Sequence, residues 1–227
     1  MAPAVGLIFH GIGTPRRDLE PGEAPYWVTE GTFALALDQI ATLPDPSQIR
    51  ISFDDGNASD HDIALPALQE RGLTADFFVL TGRINQPGSL SEGQILALRD
   101  ASMTIGSHGI AHRPWIRLTN AALRHELAGS RQMLEMLLGQ TVDSAGIPFG
   151  MWNGRILAAL RAAGYRMAWS SDRGGLNPAA FLRPRTSITA VMTPEAVAAV
   201  LTGRLGLRAR ILRTAGMLAK RLSHSGG

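Results

Sequence analysis

Two residue types in this chain can do acid–base and metal chemistry, and each comes as a closely spaced pair. Asp54 and Asp55 stand side by side at the end of an apolar run, in ISFDDG. Adjacent like charges repel, so a chain that keeps both at a strand end needs a use for both. His108 and His112, in SHGIAH, stand four residues apart. On a helical turn, or a turn leading off a strand, two imidazoles at that spacing can face one ion. Neutral imidazole suits zinc, cobalt, nickel or iron, and a carboxylate from elsewhere would complete the set while leaving positions open for water. Metal-assisted hydrolysis needs two carboxylates with different duties. One ligates the ion; the other stays off it and takes a proton from the attacking water. Consecutive strand residues point to opposite sides, and Gly56 permits the bend that separates the two duties. The competing readings are a helix cap for the aspartates and two surface histidines beside a loop.

The elements that must position these groups alternate along the chain. VGLIFHG (5–11), IRISFDDG (49–56), TADFFVLTG (74–82), MTIGSHG (103–109), SAGIPFG (144–150), MAWSSD (167–172) and FLRPRTSI (181–188) read as strands. Helical spacing fills 27–43, 62–72, 91–101, 118–139, 154–165 and 193–203, with Ser91 as an N-cap and Pro66 as a helix start or kink. About seven strands in this rhythm predict an α/β fold with a parallel sheet, closed into a barrel or left open. In such folds chemistry collects at the C-terminal ends of strands. Those ends carry His10, Asp54, Asp55, Ser107, His108, Phe149, Asp172, Arg183 and Arg185. Segment 11–26, rich in Gly, Pro and charge, reads as an ordered loop over one face.

Composition narrows the classes. There are no cysteines, so disulfides and thiolate metal sites are excluded. The net charge of +3 is uneven. Residues 1–203 hold 16 arginines against all 19 acids, a net −3, whereas 204–227 hold six basic residues and no acid. The basic tail, with Leu, Ile and Met on its other face, suits an anionic membrane surface or docking on the barrel. Nucleic acid is a poor partner for an acidic body without a recognition motif. No run of about 18 apolar residues occurs, and the start lacks a basic signal-peptide region. The expectation is therefore a cytoplasmic chain, with a domain over 1–203 and a tail that can touch the inner membrane face.

SFDDG, SHGIAH, IPFG and WSSD, in that order, resemble the NodB-homology polysaccharide deacetylases of carbohydrate esterase family 4. The resemblance runs from about Val5 to Ile188, and its first two motifs are the specific ones. It implies a single-domain deformed (β/α) barrel and a divalent metal, zinc first, with cobalt or nickel as alternatives. The implied reaction is removal of N-acetyl groups from N-acetylglucosamine units of an oligo- or polysaccharide. Matched residue by residue, Asp54 takes the place of the base, Asp55 of the metal carboxylate, and His108 and His112 of the histidine ligands. Pro148 and Phe149 fall in the motif that lines the groove, with the Phe149 N–H aimed at an oxyanion.

Two departures follow from the same match. Gly146 stands where the family usually has an arginine that orients the base, and Arg185, near another strand end, is the candidate substitute. Nothing after Ile188 matches the histidine that usually serves as acid; His224 sits in a Ser/Gly tail. His10 is a candidate acid, and Asp54 itself can return the proton. Asp172 can hold a catalytic or supporting group or cap a turn. Trp152 first, then Trp115 and Trp169, can stack on a sugar or pack in the core. His61 and His125 read as surface residues. The expected role is polysaccharide assembly at a bacterial surface. The alternatives are a deformylase or deacetylase for a lipid-linked sugar, or a catalytically weak saccharide-binding assembly factor.

Overall fold

Strand-like and helix-like runs alternate along the chain because each strand buries both faces and each helix only one. The computed structural model describes residues 4–204 and 207–222, with side chains in the last helix from Arg213 to Lys220. His224 and the side chains of Arg208, Arg210 and Arg221 lie outside the described residues.

The strands are β1 (Ala4–Phe9), β2 (Gly11–Ile12), β3 (Trp27–Val28), β4 (Ile49–Asp55), β5 (Ala75–Val79), β6 (Thr104–Ser107), β7 (Ser144–Gly146), β8 (Met167–Ser170), β9 (Gly175–Leu176), β10 (Leu182–Pro184) and β11 (Thr186–Ser187). The helices are α1 (Glu30–Ala41), α2 (Leu65–Glu70), α3 (Glu92–Asp100), α4 (Asn120–Arg124), α5 (Ser130–Leu138), α6 (Gly154–Ala162), α7 (Pro194–Leu201) and α8 (Leu207–Leu222). The main sheet runs β10-β8-β7-β6-β5-β4-β1-β11, and its pairings along this path are parallel. β10 and β11 are one extended segment broken only at Arg185. It pairs with β8 on one side and β1 on the other, which nearly closes the sheet into the expected deformed barrel.

Period-two alternation sorts the strand residues into two layers. Leu7, Phe9, Ile51, Phe53, Phe77 and Ala145 point outward into the core shared with the helices. Phe78 and Trp169 form a second, inner cluster, alongside Ser52, Asp54 and Arg185. Along the outer layer the Phe53 ring stacks on Phe77 at 4.7 Å and lies 5.6 Å from Phe9 and 5.8 Å from Phe33 of α1.

Ser91 caps α3 through a full capping box with Gln94. Two helical segments carry π turns. α2 begins at Leu65 with Pro66 in its first turn, as expected, and a π turn at Asp60–Ala64 precedes it. Proline has no N–H to offer the ladder, and the wider turn accommodates that. The 118–139 helix is likewise broken by a π turn at His125–Gly129. Among the described residues no helix is long and apolar enough to cross a membrane.

The aromatic row predicts a sharp stability effect. Phe53→Ala should lower unfolding stability by about 3–5 kcal/mol in urea titrations, because it leaves a cavity between rings that cannot collapse.

Candidate active site

β4 delivers both aspartates to one end of the barrel, and a left-handed residue parts them. Asp55 has φ +79° and Gly56 φ +70°, so the chain turns sharply as the strand ends. Asp54 points inward, where Arg185 grips it with two bonds: Nη1 to Oδ1 at 2.7 Å and Nη2 to Oδ2 at 2.9 Å. The same Nη1 donates to Ser52 Oγ at 2.8 Å, and the guanidinium lies 4.8 Å over the Phe78 ring. Asp54 and Arg185 are both almost fully buried, at 3% and 1% exposure. Burial pushes Asp54 up, but the Arg185 charge, nearby His108 and the paired bonds together hold its carboxyl below the ordinary value.

Asp55 meets the histidines. Its Oδ1 lies 3.4 Å from His108 Nε2 and 3.4 Å from His112 Nε2. That oxygen is buried and has no hydrogen-bond partner among the described residues. Each Nδ1 faces an acceptor: the Gly146 carbonyl at 3.0 Å for His108, and Glu20 Oε2 at 2.6 Å for His112. An Nδ1 that donates leaves Nε2 with its lone pair, so both rings aim a ligand atom at the orphaned oxygen. Ligands about 2.1 Å from a tetrahedral ion stand about 3.4 Å apart. The spacing, the orphaned oxygen and the donor types therefore fit a divalent cation. Burial lowers His108 to about 4 against the raising pull of Asp54 and Asp55, which keeps it the neutral ring a ligand must be.

These groups line one cavity of about 300 Å³, together with His10, Glu20, Tyr26 and Phe149. His10 packs its ring 4.9 Å from Tyr26, and its Nδ1 has no partner among the described residues. Phe149 stacks on His112 at 4.4 Å. Like Asp55, His112 and Phe149 adopt left-handed backbone, φ +44° and +58°. The N–H groups of Gly150 and Met151 close the Pro148–Gly150 turn on the Ile147 and Pro148 carbonyls, and that of Phe149 takes no part in closing it.

With this geometry in hand, comparison with known proteins identifies the family. The family model described as "Polysaccharide deacetylase" matches residues 43–168, more than half of the 227-residue chain. The chain belongs to the polysaccharide deacetylase family. The Bacillus subtilis protein YxkH, whose name assigns it to the same family, is 28% identical over 181 residues, covering 74% of this chain and 64% of that protein. Chitin deacetylase 1 of Cryptococcus neoformans is 25% identical over 150 residues, covering 66% of this chain and 31% of that protein. The chain thus spans less than two thirds of the length of either relative. The fold matches that of the Streptococcus pyogenes deacetylase PplD, solved with acetate, at a TM-score of 0.75 and 19% identity, over 88% of this chain and 98% of that one.

Gly146, where the resemblance puts an arginine, sits in a tight place. A Cβ on Gly146 would meet His108 Nδ1 and Phe78 Cγ at 3.0 Å each. A side chain there would need the His108 ring, or the Phe78 ring on which Arg185 lies, to give by a few tenths of an ångström. Other expectations need correction. Trp115, Trp152 and Trp169 are buried and cannot stack on a sugar. Trp169 fills the inner layer against Phe78. Trp152 donates its indole N–H to Asp172 Oδ2 at 2.6 Å. Pro148 is buried and does not line the cavity. Asp172 also stays outside it, taking bonds from Ser170 Oγ at 2.6 Å and Lys220 Nζ at 2.5 Å. The exposed aromatic rings of the cavity are Tyr26, 37% exposed, and Phe149, 51% exposed.

Helix α8 of the basic tail docks on the barrel beside this site. Arg213 Nε of α8 donates to the Asp172 carbonyl at 3.0 Å, and Lys220 Nζ reaches the Gly150 carbonyl at 3.2 Å. Three acids escaped the sequence reading because their roles come from contacts and burial that spacing does not show. Glu20 holds His112. Glu126 Oε2 accepts the N–H groups of Ile110 and Ala111, at 2.7 and 3.2 Å, and so shapes the turn between the histidines. Asp60 is fully buried with both oxygens unpartnered among the described residues. Burial, then the charge of Asp55, raises it well above the ordinary value and favours its protonated form. Only a polar residue inside the π turn of an otherwise amphipathic helix hinted at Glu126.

His108 makes stability depend on pH. The unfolded chain protonates it near the ordinary 6.5, whereas the folded chain resists down to about 4. The unfolded state therefore binds more protons in that window, and this contribution, full above the window, is lost as pH falls through it. Metal-free protein should show urea midpoints that fall from pH about 6.5 toward 4, and His108→Gln should flatten that part of the fall.

Proposed function

We propose that this chain is a metal-dependent hydrolase that removes N-acetyl groups from N-acetylglucosamine-type units of a bacterial saccharide. The observation that carries this reading is one cavity holding an Arg185-paired Asp54 beside the Asp55, His108 and His112 set. A divalent ion held by those three residues would polarise the amide carbonyl and activate water, with zinc best suited and cobalt or nickel as substitutes.

The chain's own residues supply the rest. Asp54, kept ionised by Arg185, accepts the proton of the attacking water. A carboxyl held below its ordinary value is a reluctant base but a ready acid, so Asp54 can pass that proton to the departing amine. His10 is the second candidate for this step, since it lines the same cavity with an unpartnered Nδ1. The Phe149 N–H, which takes no part in closing its turn, would share the oxyanion's charge. Tyr26 and Phe149 take the sugar-facing role that the buried tryptophans cannot. The pairing of Asp54 with Arg185 favours turnover over a binding-only assembly factor.

One observation favours a second reading, a lipid-linked N-acyl sugar as substrate. The cavity of about 300 Å³ is at the small end for ligand sites, enough for roughly one sugar unit, and the basic α8 lies beside it.

Acetate and formate release by zinc- or cobalt-loaded protein, on N-acetylglucosamine oligomers and a lipid-linked N-acyl sugar, tests both readings. Asp54→Asn should abolish release, and the better substrate separates oligomer from lipid carrier. No release from either, with metal bound stoichiometrically, sinks the hydrolase. Arg185→Met should cut kcat by about 100-fold or more and move the acid limb of the pH–rate profile upward, because Asp54 loses the charge that holds it low. Tyr26→Ala should raise KM several-fold and leave kcat nearly unchanged, as loss of uniform binding does.

A further inference from the structure

The two histidines are aimed by different kinds of support. His108 leans on the Gly146 carbonyl, part of a barrel strand. His112 sits past the strand, in left-handed backbone, and its Nδ1 meets Glu20 Oε2 at 2.6 Å, 92 residues away in sequence. Glu20 belongs to the 11–26 loop and lines the cavity. Its other oxygen takes the guanidinium of Arg83, in the Thr81–Arg83 turn after β5. Arg17 of the same loop bonds Asn57 Oδ1, at 3.0 Å from Nε and 2.8 Å from Nη2, just after the Asp55 bend. The loop is thus stapled to the segments that follow β4, which carries the aspartates, and its neighbour β5.

An exposed ion pair would be the bland account of this contact, worth little. Two features argue otherwise. The His112 side chain is only 12% exposed, and the contact leaves its Nε2 facing Asp55. A carboxylate on the far nitrogen of a ligating histidine fixes its tautomer and orientation and makes the ring a better donor.

We propose that Glu20 is a positioning residue for the metal site, holding His112 in its ligating form and tying the 11–26 loop to metal occupancy. The proposal rests on the reading of Asp55, His108 and His112 as a divalent-cation site. Arg83 orients Glu20 and keeps its second oxygen from competing for the ion.

The test is zinc affinity, read by competition with a chromogenic chelator, for wild type, Glu20→Gln and Asp18→Asn. Asp18 is exposed in the same loop and lies outside the cavity, so its substitution removes the same charge without touching a histidine. Glu20→Gln should weaken zinc binding by roughly 10–100-fold, and Asp18→Asn should bind as wild type does. Zinc should also slow tryptic cleavage after Arg16 and Arg17 in wild type but not in Glu20→Gln. Equal affinity for Glu20→Gln and wild type overturns the proposal and leaves the metal site standing. An equal loss in Asp18→Asn overturns it too, since general charge would then explain the effect. Wild-type protein that binds no zinc, cobalt or nickel overturns both the proposal and the metal-dependent function.

Discussion

A carboxylate buried inside a barrel has to be neutralised, and the grip of Arg185 on Asp54 is the contact on which this site depends. Taking a charge out of water costs several kcal/mol unless geometry is excellent and further hydrogen bonds are made. Here the pairing is bidentate, with Ser52 as an additional partner. Arg185 sits where the closing segment changes partners. Its N–H bonds the Ser170 carbonyl at 2.9 Å and its own carbonyl accepts from Arg173 at 3.0 Å. Barrel closure and an ionised Asp54 are therefore one structural event, since the strand that closes the sheet carries the counter-ion.

The rest of the chain is arranged around that polar centre. Outward-facing rings and aliphatic groups, with the helices, make the apolar layer that holds the barrel. The inner layer is freed for polar work at one end. The backbone there is bent into left-handed conformations at Asp55, His112 and Phe149, each costing about 1–3 kcal/mol. Local bonds stabilise some of these bends, such as the Glu126 clamp on Ile110 and Ala111 before His112. Long-range ones complete the frame: the 11–26 loop reaches His112 from one side, and α8 reaches the Gly150 turn from the other. Site geometry thus depends on segments that carry none of its motifs.

Much of this was legible in the sequence. The alternation of apolar runs with helical periods dictated a parallel α/β sheet, because period and burial are local properties of the chain. ISFDDG and SHGIAH named four residues that do meet in one cavity, since their spacing already limits where the side chains can point. Arg185 was legible as a polar strand end near the site, and its bidentate pairing with Asp54 could be seen only when β4 and the 182–187 segment were brought together.

Tertiary structure decided what no spacing encodes. Trp152, Trp115 and Trp169 looked able to face a sugar, yet burial of their large apolar rings put them into the core. Tyr26, unremarkable in sequence, and Phe149, read there only for its backbone N–H, became the exposed rings. Glu20, Glu126 and Asp60 acquired their places through contacts across the chain or a local π turn. The strand and helix pattern and the types of reactive residue are written locally. Which distant acid orients which histidine depends on how the closed barrel folds its loops back over one end, and that is a property of the whole chain.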